Sequence, residues 1–207
     1  MTPRSVSRAV LAAALLVAPA FAWAQGPANP SPAAAQAGSY AVEPYHTRIL
    51  FSVSHMGFST WYGEFTGASG TLAFDPARLA ASKLDISVPT GSISTSNAKL
   101  DGELKSAQWF DATQFDTIHF QSTKIARTGA NTADVSGQLT FHGVTKPVVL
   151  KAKFNAAGVN PLDKAYTVGF EVSGDIKRSD FGVTTYVPLI GDEVHLIISA
   201  AFEKKAG

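Results

Sequence analysis

Long stretches of this sequence alternate between apolar and polar residues. The segment DVSGQLTFHGVTKPVVLKAKF, residues 134–154, shows the pattern twice, once on each side of a turn at FHGVTKP. Because successive side chains of a β-strand point to opposite faces, a period of two predicts strands with one apolar and one polar face. The alternation recurs elsewhere and brings the total to about eight strands, the others lying at residues 49–54, 71–75, 84–88, 118–121, 166–173 and 194–203.

Helical periodicity is confined to a small part of the chain. Residues 97–112 place four apolar side chains roughly on one face, and we predict one helix near residues 98–110 from Leu100, Leu104, Trp109 and Phe110. A second short helical turn is an option around HMGFSTWYGEF, residues 55–65. These pieces are too small to cover eight strands, so the apolar strand faces must cover one another.

Two antiparallel architectures achieve this, a stacked sandwich and a closed barrel. Several runs extend over ten residues or more, and each would span about 33 Å; these runs are residues 116–126, 132–141, 144–155, 164–175 and 193–203. Sandwich strands are usually shorter, about five or six residues. We therefore predict an all-β fold, an eight-stranded antiparallel β-barrel with one short α-helix.

The first 24 residues have the composition of a secretory signal peptide. Arg4 and Arg8 precede an apolar run that ends in the small-x-small pattern Ala22-Trp23-Ala24. The alternative is a retained N-terminal anchor. We expect export with cleavage after Ala24, a disordered Pro- and Ala-rich spacer over residues 25–39, and a single domain over residues 40–207.

Composition excludes several classes of function. The chain has no cysteine, which excludes thiol catalysis and Cys-ligated metals. The leader contains two arginines and no acid, so its removal lowers the formal net charge from +1 to −1. A nearly neutral chain without basic clusters is not expected to bind nucleic acid. Beyond the leader, no apolar stretch approaches the length of about 18 residues that a membrane-spanning helix needs.

We find no catalytic or metal-binding motif. The five histidines lack metal-ligand spacing, and no Walker A loop or GxSxG elbow occurs. His119 and His195 alternate with apolar neighbours and should point outward. We therefore expect no enzyme activity and no cofactor.

Four blocks, in order, resemble the YceI family. They are YHTRILFSVSHMGFSTWYGEF, ELKSAQWFDATQFDTIHFQSTKI, VSGQLTFHGVTKPVVL, and IKRSDFGV followed by IGDEVHLII, and together the resemblance covers residues 40–204. It implies a periplasmic protein with a lipocalin-like barrel that binds a polyisoprenoid or another long-chain lipid in an extended apolar tunnel. It implies no catalytic residues.

The resemblance implies a tunnel, and apolar inward faces supply its wall. Thirteen Phe against five Tyr favour a surface that needs no hydrogen bond. We expect the ligand to contact Phe51, Val53, Phe58, Trp61, Phe65, Phe74, Ile86, Trp109, Phe110, Ile118, Phe120, Phe141, Phe170, Val172, Phe181 and Ile198. The alternative for each Phe is a place in a solid core.

Two residues are candidates for contact with a lipid head group. His142 lies in the FHGVTKP turn, where a purely structural role is the simpler expectation. Arg178 lies in the IKRSDFG loop, where the simpler expectation is a salt bridge to Asp180.

We predict a carrier or store for an isoprenoid lipid such as a quinone or a polyprenyl phosphate. Two alternatives stay open: an enzyme that acts on such a lipid with His142 or Asp180 as base, and a stress or interaction protein without a cavity. The sequence does not distinguish among lipids and leaves homodimerisation open.

Overall fold

The computed structural model describes residues 28–205, and the predicted signal peptide lies outside them. Over these residues the chain forms ten strands and one α-helix. The strands are β1 (Gly38–Val42), β2 (Arg48–His55), β3 (Ser59–Phe65), β4 (Ser69–Phe74), β5 (Lys83–Pro89), β6 (Thr117–Arg127), β7 (Thr132–Phe141), β8 (Val144–Val159), β9 (Tyr166–Lys177) and β10 (Ile190–Lys204), and the helix is α1 (Ala98–Lys105). Short 3₁₀ turns occupy Pro32–Ala34, Leu79–Ala81, Thr90–Ser92 and Arg178–Phe181.

Eight of the strands close into a barrel. The ring runs β1-β4-β5-β6-β7-β8-β9-β10, and β10 pairs again with β1, with every pairing antiparallel. At the closure Tyr40 lies opposite Lys204 and Val42 lies opposite Phe202. The β2–β3 hairpin extends the wall, because β2 pairs with β10 beyond the end of β1. The predicted fold class, an eight-stranded antiparallel barrel with one helix, is confirmed.

The antiparallel connections divide the loops between two ends of the barrel. One end, here called the α1 end, carries the β2–β3 turn, the β5–β6 connection with α1, the β7–β8 turn and the β9–β10 loop. The opposite end carries the β4–β5, β6–β7 and β8–β9 connections. Loops at the α1 end are therefore neighbours although they are far apart in sequence.

The helical predictions are only partly correct. Helix α1 begins after Asn97, whose side-chain oxygen accepts hydrogen bonds from the backbone N–H groups of Lys99 and Leu100 at 3.1 and 3.3 Å. It ends at Lys105 instead of near residue 110, and the following residues form turns. The optional helical turn at residues 55–65 is wrong, because this segment forms the β2–β3 hairpin.

The predicted disordered spacer also differs from the structure over residues 28–39. Asn29 makes two backbone hydrogen bonds to Ala157, and Ala35 is buried against the aromatic residues at the opposite end of the barrel. The hydroxyl of Tyr40 donates to the carbonyl of Gln36 at 2.6 Å. The Pro- and Ala-rich composition predicted a disordered spacer. Small side chains on an extended backbone can also pack closely against a sheet, and this is what residues 28–39 do.

No helix among residues 28–205 is long and apolar enough to cross a membrane.

Gly102 provides a test of the helix assignment. It lies inside α1, and a Cβ added there would meet no atom within 4 Å. Because glycine in a helix loses more backbone entropy than alanine, Gly102→Ala should raise the free energy of unfolding by about 0.5–1 kcal/mol. Urea denaturation measures this change. A loss of stability would contradict the helical conformation of this segment.

Candidate ligand cavity

The barrel is hollow. Its interior cavity has a volume of about 290 Å³ and extends from the α1 end to the opposite end. Among the residues that line it, only Thr47, Ser82 and Arg178 are polar or charged. The wall therefore offers an almost purely hydrocarbon surface.

The alternation of the strands builds this wall. On β7, Val135, Leu139 and Phe141 line the cavity, and on the paired strand β8 Val148 and Leu150 do the same. Residues between them, such as Val149 with 54% of its surface exposed, lie on the outer face. In the other strands of the wall, alternate residues also point into the cavity. A register shift in β6 and another in β8 each move the inward positions by one residue.

Two glycines explain why aromatic rings do not fill the interior. A Cβ on Gly63 would lie 2.4 Å from Cζ of Phe51, and a Cβ on Gly137 would lie 2.4 Å from Cζ of Phe120. Each ring therefore occupies the space above a glycine on an adjacent strand. This placement holds the rings against the wall and leaves the barrel axis open.

Aromatic clusters lie towards both ends of the cavity. Towards the opposite end, Phe170 makes edge-on contacts with Phe74, Phe154 and Phe202, with ring centroids 5.6–6.0 Å apart. Towards the α1 end, Phe110 contacts Phe141, with centroids 5.2 Å apart. Such edge-to-face pairs add stability beyond simple burial.

Most residues predicted to contact a ligand lie in the cavity wall. The ones placed there are Phe51, Val53, Phe65, Phe74, Ile86, Trp109, Phe110, Ile118, Phe120, Phe141, Phe170, Val172, Ile198 and Arg178. That they bind a ligand stays a prediction.

Three predicted aromatic contacts do not line the cavity. Phe58 is 89% exposed, because Ser59 pairs with His55 and leaves Phe58 as an extra residue at the tip of the β2–β3 turn. The ring of Trp61 packs beside His55, beyond the last wall residue of β2. Phe181 is buried behind the wall, where its ring contacts Phe141.

His142 does not line the cavity either. It has a positive φ of 49° in the tight β7–β8 turn. Its Nδ1–H donates to the carbonyl of Phe181 at 3.0 Å, and its ring packs against Phe115. The residue therefore joins the β7–β8 turn to the β9–β10 loop, which is the structural role considered for it.

Arg178 is the one charged residue of the wall, and its environment differs from the predicted salt bridge to Asp180. Its side chain is 5% exposed and lies over the ring of Trp109, 5.5 Å from the centroid. Its Nε, Nη1 and Nη2 donate to the carbonyls of Gly191, Val183 and Ile190 at 2.8–2.9 Å. The predicted salt bridge to Asp180 is replaced by hydrogen bonds to backbone carbonyls, because the guanidinium points back into its own loop.

Asp192 is the acidic neighbour of Arg178. Burial lowers the pKa of Arg178, and the charge of Asp192 partly opposes this effect. Burial alone would raise the pKa of Asp192, but hydrogen bonds from the Ser179 side chain and backbone outweigh it and lower that pKa. The pair thus keeps opposite charges at the α1 end.

The two histidines predicted to point outward do so. The Nε2–H of His119 donates to the Asp85 carboxylate at 2.9 Å on the outer surface, and the Nδ1–H of His195 donates to the Asp175 carboxylate. This hydrogen bond to the carboxylate of Asp175 raises the pKa of His195. Residues 28–205 contain no group of three or more His, Asp or Glu side chains that could hold a metal ion.

Sequence reasoning missed much of the aliphatic wall. Aliphatic residues that line the cavity without having been singled out include Leu72, Leu84, Ile125, Leu150, Ala152, Ile176, Val194 and Leu196. Most share the inward parity of the predicted aromatic residues, so the alternation itself could have identified them. The emphasis on aromatic rings left them out.

A closed antiparallel barrel with an apolar cavity defines a lipocalin-like binding protein. The YceI-like domain matches residues 40–202, and the chain belongs to this family. A curated relative, a UPF0312 protein of Ectopseudomonas mendocina (strain ymp), is 38% identical over 167 residues, covering 80% of this chain and 87% of the relative.

Solved structures share the fold. The YceI protein of Campylobacter jejuni is 29% identical, with a TM-score of 0.66 over 74% of this chain and 90% of that chain. A polyisoprenoid binding domain from Saccharophagus degradans has a TM-score of 0.61 over 82% of this chain and 100% of that domain. It is only 14% identical, so this likeness shows the fold alone.

Gly63→Ala tests whether the glycine positions keep the rings at the wall. The new methyl group must displace the ring of Phe51 towards the cavity, which should lower the free energy of unfolding by about 1–3 kcal/mol. Gly91→Ala is the control, because nothing lies within 4 Å of a Cβ there. Urea denaturation compares the two variants. Equal stability of both would contradict the proposed packing.

Proposed function

We propose that this protein binds a long-chain isoprenoid lipid, a quinone or a polyprenyl phosphate, in its barrel cavity and carries it in the periplasm. Membership of the YceI-like family supports a lipid-binding role. The polyisoprenoid binding domain of Saccharophagus degradans has the same fold, which makes an isoprenoid the first ligand class to test.

The near absence of polar groups from the cavity wall carries this proposal. A polar ligand would lose its hydrogen bonds to water on entry and find almost no replacement, which is costly. A hydrocarbon chain loses nothing of this kind, and each buried methylene contributes about 0.8 kcal/mol. About ten buried carbons, a number that suits a cavity of about 290 Å³, would contribute on the order of 8 kcal/mol before the ordering cost of about 4–15 kcal/mol is subtracted. The hydrocarbon chain thus supplies the favourable free energy of binding, and no polar contact is needed for that contribution.

The size of the cavity determines how a long lipid is held. A volume of about 290 Å³ is just below the range of about 300–1,000 Å³ for small-molecule pockets. A long isoprenoid therefore places part of its tail in the cavity, and its polar head lies near an opening. Such a site selects for hydrocarbon shape more than for one head group.

Arg178 marks the α1 end as the place for the head group. A guanidinium has five N–H groups. Three of them, one on each nitrogen of Arg178, donate to backbone carbonyls. Two N–H groups are left for a quinone or phosphate oxygen. The neighbouring Trp109 has a buried Nε1–H without a partner among residues 28–205, which is a further donor at this end.

Adjacent residues on β8 allow a matched test. Leu150→Asp places a charge inside the cavity, whereas Val149→Asp places it on the outer face. After incubation with a long-chain ubiquinone or a polyprenyl phosphate, native mass spectrometry should show a lipid adduct for the wild type and Val149→Asp. We expect Leu150→Asp to lose it, because an unpaired carboxylate beside hydrocarbon is strongly unfavourable.

A second pair covers the case in which Leu150→Asp does not fold. Ala152→Phe fills the cavity with a ring, and Lys153→Phe adds the same ring on the outside. Only Ala152→Phe should reduce uptake of the ubiquinone. Equal uptake by both variants, or a wild type that takes up neither lipid, would reject the cavity as the binding site.

Export is a separate part of the proposal and rests on the leader sequence. If residues 1–24 are a cleaved signal peptide, N-terminal sequencing of protein recovered from the periplasm should begin at Gln25. Replacing the apolar run at residues 10–22 with polar residues should retain the protein in the cytoplasm. An unprocessed N-terminus in the periplasm would favour the retained anchor instead.

The alternatives have less support in the geometry. His142 is hydrogen-bonded to Phe181 away from the cavity, and Asp180 is exposed and does not line it. Neither residue is placed to act as a base on a lipid in the barrel. The cavity also argues against a protein with a solid interior.

A further inference from the structure

Two loops at the α1 end expose large apolar side chains. In the β2–β3 turn, Met56 and Phe58 are 49% and 89% exposed. In the β9–β10 loop, Tyr186 and Leu189 are 59% and 60% exposed. Soluble proteins rarely expose contiguous apolar surface of this kind without a use for it.

These four residues lie on two neighbouring loops and are together called the apolar platform. The N–H of Met56 donates to the carbonyl of Leu189 at 2.8 Å, which joins the two loops. Within the second loop the N–H of Ile190 donates to the carbonyl of Tyr186 at 2.8 Å. The ring of Tyr186 also packs edge-on against Trp109, at 6.2 Å between centroids. Backbone and ring contacts therefore hold the platform in place.

The platform lies next to the cavity. Val53 and Ile190 line the cavity and are each within a few residues of a platform side chain. Trp109 lines the cavity and contacts Tyr186 of the platform. A surface that covers the platform therefore comes to lie beside the α1 end of the cavity.

The charge of the two loop segments indicates which kind of surface could cover the apolar platform. Residues 54–63 and 181–191 contain no Asp, Glu, Lys or Arg. Attraction to anionic lipid head groups requires exposed basic residues, and these two segments contain none; Arg178, which precedes the second segment, is buried. Exposed Phe, Tyr, Leu and Met side chains, with Trp61 and Tyr62 in the following strand, have the composition found at the boundary between head groups and hydrocarbon.

We propose that the apolar platform inserts into the surface of a lipid bilayer and places the α1 end of the cavity against the membrane for lipid transfer. This inference rests on the proposed function, because docking would bring the lipid source to the cavity. Hydrophobic insertion without charge predicts docking that is independent of anionic lipid and of salt concentration.

Flotation with lipid vesicles tests docking. The wild type should float with pure phosphatidylcholine vesicles, at low and high salt alike, and added phosphatidylglycerol should not increase the bound fraction. Phe58→Ser with Leu189→Ser should lower the partition coefficient about tenfold or more, because burial of one such side chain accounts for at least that factor. The control, Val159→Ser with Leu162→Ser, removes apolar groups that are 51% and 91% exposed at the opposite end and should change little.

The same proteins separate docking from ligand binding. Native mass spectrometry with a soluble preparation of long-chain ubiquinone should show equal adducts for the wild type and the Phe58/Leu189 double variant. If the wild type floats with vesicles but shows no ubiquinone adduct, the proposed lipid-binding function is rejected and the membrane-docking proposal stands. A wild type that does not float, an equal loss of flotation in the control, or a wild-type dimer that only the Phe58/Leu189 variant dissociates would overturn the docking proposal.

Discussion

Closure of the sheet is the constraint on which the rest of the structure depends. Three residue pairs between β1 and β10 complete a ring in which the inward faces meet only each other. Tyr40 lies at this seam, is fully buried, and has a pKa raised by burial to about 12. An open sheet would leave its apolar face to water, whereas the ring shields that face without a second layer. A ring of eight strands can be filled by its side chains or can hold one small ligand, so closure permits a hollow interior and the inward side chains decide whether it forms.

The interior stays hollow because of small residues at inward positions. Gly63 and Gly137 receive the rings of Phe51 and Phe120, which would otherwise extend towards the axis. Ala133, Ala152 and Ala200 line the cavity with short side chains. A wall of this kind is smooth and almost without hydrogen-bonding groups, which suits a flexible hydrocarbon chain better than a rigid polar molecule.

The parts that local pattern determines were predictable, and the parts that depend on turns and distant contacts were not. Side-chain parity is a local property, so Phe74, Phe120 and Phe170 were correctly placed on the inward face. The segment 55–65 was not, because positive φ at Met56 and Gly57 makes a tight turn where aromatic clustering suggested a helix. The partners of Arg178 were also beyond prediction. Three carbonyls 5 to 13 residues away replaced the nearby Asp180, and only the folded loop brings them together.

Arg178 connects the interior of the barrel with its outer surface. The same guanidinium that lines the cavity binds the carbonyls of Val183, Ile190 and Gly191, and so fixes the loop that presents Leu189. Trp109 packs beneath this guanidinium on one side and against Tyr186 on another. A polar head group that bound Arg178 would accept hydrogen bonds from its two remaining N–H groups, next to these contacts. One buried side chain therefore serves both as part of the cavity wall and as the residue that holds the exposed loop in its conformation.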